Sequence, residues 1–129
     1  MILDSDILIY FLKGNTKIVD EVLKLSNQEL FITRINYTEL LYGAYNSTKV
    51  EENLKKIRPF LEKFTILEFD EISSEIFAKI KSKLKKDGNI IADMDLMIAS
   101  ICIANDQELA TNNHKHFERI KDLKIVKWL

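Results

Sequence analysis

Carboxylates stand at the edges of three otherwise apolar segments. Asp4 closes Met1-Ile2-Leu3, Glu39 sits within Thr38-Glu39-Leu40-Leu41-Tyr42-Gly43-Ala44, and Asp95 lies at the start of Asp93-Met94-Asp95-Leu96-Met97-Ile98-Ala99-Ser100. Carboxylate oxygens are the hard donors that Mg²⁺ and Mn²⁺ prefer. Acids so far apart in sequence share an ion only if folding gathers them, so Asp4, Glu39 and Asp95 are the candidate metal ligands and catalytic acids. Each has a plainer role beside it. Asp4 or Asp6 can cap a following helix, Asn36-x-x-Glu39 fits a loose capping box, and either Asp93 or Asp95 can cap a helix and complement its dipole. We take Asp95 as the ligand and Asp93 as its cap or helper.

Lesser candidates surround these acids. Ser5 and Asp6 follow Asp4 directly and suit groups that orient a ligand from behind. Thr111-Asn112-Asn113 follows a short apolar segment, and its hydroxyl and amides suit contact with phosphate or with water near an ion. His114 and His116 lack the cysteines or further histidines of a zinc site, although His116 can reach the acids. Lys79, Lys81, Lys83, Lys85 and Lys86 crowd one segment, read as the solvated face of a helix or as a rim that guides phosphate. No Gly-rich phosphate loop, Ser-His-Asp set or dinucleotide fingerprint is present.

Elements that would position these groups follow from periodicity. Met1–Leu3 reads as a buried strand and Ile7–Leu12 as a short helix ending near Gly14. Thr16 can cap a helix with Ile18, Val22, Leu23 and Leu25 on its apolar face. Glu29–Ile32 is strand-like, and Ile35–Ala44 is helical. A further helix begins near Lys49, where Pro59 predicts a kink or a boundary. Phe64–Phe69 reads as a third strand. Asp70 or Ser73 then starts a helix with Ile72, Ile76, Ile80 and Leu84 at helical spacing. After the loop Lys86-Asp87-Gly88-Asn89, the Asp93–Asn105 segment is apolar nearly all round and belongs at the centre of the molecule. Glu108–Ala110 and Leu123–Trp128 read as strands and Lys115–Ile120 as a helical turn. Strands alternating with helices imply an α/β layer architecture around a mostly parallel sheet, within a single domain spanning 1–129.

Composition narrows the class. With 47% hydrophobic and 30% charged residues over 129 positions, the chain suits a folded globular domain rather than a disordered one. No apolar run approaches the roughly 20 residues of a membrane span, and no leader-like segment opens the chain. Cys102 is the only cysteine and lies in an apolar run, as expected of a core residue in a reducing cytoplasm. A formal charge of −1 excludes binding to nucleic acid by bulk electrostatics, leaving local patches or a metal ion to do it.

Taken in order, the segments Ile2–Ile9, Glu39–Ala44, Ile91–Ala99, Thr111–Ile120 and Leu123–Trp128 resemble the PIN-domain ribonucleases. Within them the chain is similar to the VapC-type toxins of toxin–antitoxin pairs. The resemblance implies a three-layer PIN-like fold and a metal-dependent endoribonuclease in which Asp4, Glu39 and Asp95 bind Mg²⁺ or Mn²⁺. It also implies a homodimer, a small VapB-like antitoxin that blocks the cleft, and transfer or ribosomal RNA as substrate. The chain departs from the pattern where a fourth acid often stands: it has Asn113 there, and His116 at another position often acidic. That departure keeps open a catalytically weak PIN-like scaffold for RNA or a partner. Asp4-Ser5-Asp6 after a strand also resembles the nucleophile turn of haloacid-dehalogenase-like phosphatases, but that likeness leaves Glu39 unexplained.

Overall fold

Neighbouring residues of an extended strand point to opposite faces of a sheet. Short strands with adjacent apolar residues therefore need cover on both sides. The computed structural model describes residues 1–25 and 29–129. Its elements run β1 (Ile2–Leu3), α1 (Ser5–Leu12), α2 (Thr16–Lys24), β2 (Phe31–Thr33), α3 (Arg34–Tyr45), α4 (Val50–Leu61), β3 (Thr65–Leu67), α5 (Glu71–Lys86), α6 (Asp93–Ala104), β4 (Leu109–Ala110), α7 (His114–Phe117) and β5 (Ile125–Val126). The strands form one sheet in the order β3-β2-β1-β4-β5, and every pairing is parallel.

Alternation along the strands divides the core into two. Ile2, Phe31, Leu67, Leu109 and Ile125 face a cluster built from Leu84 of α5, Leu96, Ile98, Ile101 and Cys102 of α6, and Phe117 of α7. Leu3, Ile32, Ile66, Ala110 and Val126 face the other cluster, with Ile7 and Leu8 of α1, Ile18 and Val22 of α2, and Phe60 and Leu61 of α4. Helix α3 bridges them, since Leu40 joins the second core while Ile35 packs on the first. The result is the expected three-layer α/β arrangement, with a fully parallel sheet. α6 is buried on six of its residues, as its apolar circumference predicts. Trp128 is buried in the second core. Phe117 is fully buried on a helix of only four residues. That burial, roughly 1.5–3 kcal/mol, pins α7 and the polar residues it carries.

Several local readings change. Asn15, not Thr16, caps α2, because its side-chain oxygen accepts from the Ile18 N–H at 3.1 Å. The capping box at α3 uses Thr33 and Asn36 rather than Asn36 and Glu39. Asp70 caps α5, but Ile72 is exposed; the buried side of α5 carries Ser73 and Leu84, with Phe77 and Ile80 packed partly against the core. Pro59 lies in the last turn of α4, which ends two residues later at Leu61, so it marks a boundary. Gly88 terminates α5 with a positive φ of 75°, while the Asn89 N–H reaches back to the Leu84 carbonyl at 2.8 Å. A residue with a Cβ enters that left-handed conformation only at a cost.

Candidate functional site

Beyond β1 the chain builds outward to β2 and β3, whereas β4 and β5 extend the sheet on the opposite side. Strand order thus reverses between β1 and β4, the position where open parallel sheets form a crevice beyond their carboxyl ends. Asp4 follows β1 and Thr111 follows β4, so topology alone sets them at this crevice. Asp4 is buried and occupies the N-cap of α1. Its Oδ1 accepts from the Ser5 N–H at 2.8 Å and from Asn36 Nδ2 at 3.1 Å, and its Oδ2 accepts from Thr111 Oγ1 at 2.7 Å. Both carboxylate oxygens are therefore fixed in direction. The capping role and the site role coincide in one side chain.

The other acids arrive from helices, Glu39 from the middle of α3 and Asp95 from the first turn of α6. Glu39 stands one turn after Asn36 on α3, and its Oε1 accepts from Ser5 Oγ at 2.8 Å. Asp95, in the first turn of α6, faces His116 Nδ1 at 3.3 Å. His116 is in turn 3.0 Å from Asn113 Nδ2, and the Asn113 N–H donates to Thr111 Oγ1 at 3.0 Å. Asp6 accepts from the Asn112 N–H at 3.0 Å. Asp4, Ser5, Asp6, Glu39, Asp95, Thr111, Asn113 and His116 are thus gathered at one end of the sheet.

Asp93 is not. It neither caps α6, whose N-cap is Ala92, nor joins the other acids; it pairs with Lys81 at 2.9 Å on the surface. Lys81 is the one member of the lysine run that holds such a partner among the described residues. Asn36 is the residue that sequence reasoning missed. The available signal was Thr33-x-x-Asn36 directly after a strand, a capping pattern that carries the amide to the sheet's carboxyl edge.

Electrostatics at the crevice is set first by burial and then by like charge. Burial pushes the Asp4 carboxyl from 3.8 up to about 7, and the Asp6 charge pushes the same way. The bonds from Thr111 and Ser5 oppose this, and Glu39 adds a smaller upward push. Glu39 is also raised, first by burial, against the Ser5 hydrogen bond, and then by the charges of Asp95 and Asp6. Asp6 is raised by burial despite the backbone N–H groups of Asn112 and Ile7. Oxygen-rich, mutually repelling and partly desolvated, this donor set fits a hard divalent cation. Among the described residues no three His, Cys, Asp or Glu side chains stand close enough together to hold an ion as they are placed.

Known proteins share this framework. The PIN domain pattern matches residues 1–123. The chain belongs to the PIN-domain family. It is 34% identical over 128 residues to Ribonuclease VapC1 of Haemophilus influenzae strain R2866, covering 98% of this chain and 96% of that protein. The tRNA(fMet)-specific endonuclease VapC of Shigella flexneri is 29% identical over 126 residues, with the same coverage of 98% and 96%. Among solved structures, VapBC2 from Rickettsia felis bound to a DNA fragment from its promoter superposes with a TM-score of 0.92 at 31% identity, over 99% of this chain and 98% of that one. This VapC-like PIN domain has its crevice where the strand order reverses, between β1 and β4.

Proposed function

We propose that this PIN-domain chain is a Mg²⁺- or Mn²⁺-dependent endoribonuclease, the toxin of a VapBC-type pair, with Asp4, Glu39 and Asp95 holding the ion. The observation that carries this reading is the buried Asp4 carboxyl, set beside Asp6 and Glu39 and bonded only to the neutral groups of Ser5, Asn36 and Thr111 among the described residues. Such a group lacks countercharge, and a divalent cation supplies it. Bound there, the ion would polarise a phosphodiester and activate a water for in-line attack, leaving 5′-phosphate and 3′-hydroxyl ends. The protein's own part is orientation. Thr111 and Asn36 fix the two oxygens of Asp4, Ser5 fixes Glu39, and His116 faces Asp95, where it can meet a phosphate oxygen or hand over a proton.

A transfer or ribosomal RNA is the substrate we favour, supported by the name of the Shigella flexneri relative. A small VapB-like antitoxin is the expected partner, supported by the Rickettsia felis VapBC2 complex. Exposed Tyr42 and Tyr45 on α3 support pairing with a second copy. Cys102, buried and free, suits a reducing cytoplasm. No helix among the described residues is long and apolar enough to cross a membrane, and the reading needs none.

The test uses purified protein, structured transfer and ribosomal RNAs, and Mn²⁺, alongside Asp4→Asn and Asp95→Asn. Metal-dependent cleavage should fall at least 100-fold in both variants, each with an unchanged circular dichroism spectrum. Equal cleavage by wild type and variants would remove the assignment. The scaffold reading draws on Asn113, whose amide turns to His116 at the position where a fourth acid often stands. RNA binding without cleavage at any Mn²⁺ concentration would favour it instead.

A further inference from the structure

We infer that Asn36 is a positioning residue that aligns two of the metal-binding acids, Asp4 and Glu39, through a single amide. The inference rests on the metal-centre reading above. Asn36 is completely buried, in the first turn of α3. Its Oδ1 accepts from the Thr33 N–H at 3.1 Å and from Thr33 Oγ1 at 2.7 Å. An N–H can only donate, so the oxygen end of the amide must face Thr33. That orientation commits both protons of Nδ2 to the crevice. One goes to Asp4 Oδ1 at 3.1 Å, the other to Ser5 Oγ at 3.0 Å.

Accepting the hydrogen bond from Asn36, the Ser5 hydroxyl is directed to donate its own hydrogen to Glu39 Oε1 at 2.8 Å. A relay therefore runs from the end of β2, through Asn36, to Asp4 directly and to Glu39 by way of Ser5. It locks the start of α1 to the start of α3 and inserts donors between two carboxylates that otherwise repel. Each carboxylate oxygen has two acceptor sites, so Asp4 and Glu39 retain capacity for an ion. Partners of this kind behind metal ligands typically set affinity by about 10–100-fold.

Capping alone would make Asn36 a structural residue, and Asn36→Asp separates the two roles. Aspartate keeps an oxygen for the Thr33 donors but turns a second oxygen, in place of the amide nitrogen, towards Asp4 and Ser5. Titration calorimetry with MnCl₂ on the intact chain, with circular dichroism and melting curves in the absence of metal, reads both. The expected result is a folded Asn36→Asp protein whose Mn²⁺ affinity is weaker by about 10–100-fold. A folded variant with wild-type or tighter affinity overturns the inference. Should that variant not fold, Ser5→Ala decides, since Ser5 lies outside the α3 cap and breaks only the branch to Glu39. About tenfold weaker Mn²⁺ binding by Ser5→Ala supports the relay, and unchanged binding overturns it. A wild-type protein that binds no Mn²⁺ overturns the metal centre itself, a result distinct from either variant outcome.

Discussion

Replacing Asp4 with asparagine isolates the electrostatic cost of the crevice. The Asp4 carboxyl titrates near 3.8 in an open chain and at about 7 when folded. Below 3.8 it is protonated in both states and contributes no difference. Between these values the unfolded chain releases the proton while the folded protein retains it, so stability falls as pH rises. Above about 7 both forms are ionised and the penalty is constant. At about 1.4 kcal/mol per pH unit the whole interval amounts to roughly 4 kcal/mol, of which roughly 2–3 kcal/mol falls between about pH 5 and 7. For a domain of this size that is on the order of 10 °C in melting temperature. The substituted asparagine would not titrate. It would carry a pH-independent loss of about 1–2 kcal/mol, because one of its atoms cannot accept the bonds that Asp4 accepts. The measurement is therefore a slope. Melting temperatures of wild type and Asp4→Asn, followed by circular dichroism from pH 5 to 8 at constant ionic strength with chelator, are subtracted so that groups titrating alike in both cancel. Wild type should lose about 10 °C relative to the variant, and Mg²⁺ or Mn²⁺ at pH 8 should restore it to wild type alone. A difference constant across the pH range would refute the reasoning about Asp4, and wild-type melting indifferent to both ions would refute the countercharge argument.

Two further expectations follow from the same geometry. Asp93→Asn removes an exposed pair with Lys81 and should change stability by less than about 1 kcal/mol, leaving Mn²⁺-dependent RNA cleavage intact; a loss matching that of Asp95→Asn would return Asp93 to the site. Thr111→Val deletes the hydroxyl that donates to Asp4 and accepts from the Asn113 N–H, and should lower the urea unfolding free energy by about 1–3 kcal/mol. An unmoved midpoint would show that neither bond matters to the fold.

Much of the architecture was legible because apolar runs declare what must be covered. The all-round apolar surface of α6, with six buried residues, and the adjacent apolar residues of the short strands both demand cover on every side, and from them follow the layers and the parallel sheet. Helix starts were less legible, because several polar residues near each boundary can cap. Asn15 displaced Thr16, Thr33 with Asn36 displaced Asn36 with Glu39, and Ala92 stood where Asp93 was expected. Ile72 shows the same limit from another side: it fits the helical period, yet α5 is rotated so that it faces solvent.

For the site, residue types and their places at the edges of apolar segments nominated Asp4, Glu39 and Asp95 as candidate ligands beside their plainer capping roles, and the fold brings the three to one end of the sheet. Sequence could not distinguish Asp93 from Asp95, two residues apart on one helix. They point about 200° apart around its axis, and only packing against α5 and α7 decides which faces Lys81 and which faces His116. Nor could it find Asn36, whose importance lies in contacts to residues 31 and 32 positions away in the chain. Residue type and periodicity thus determined a covered parallel sheet and which acids could meet at its carboxyl edge. Which atoms meet there was decided by tertiary structure, because hydrogen-bond direction depends on the relative rotation of whole helices, and no local pattern encodes that rotation.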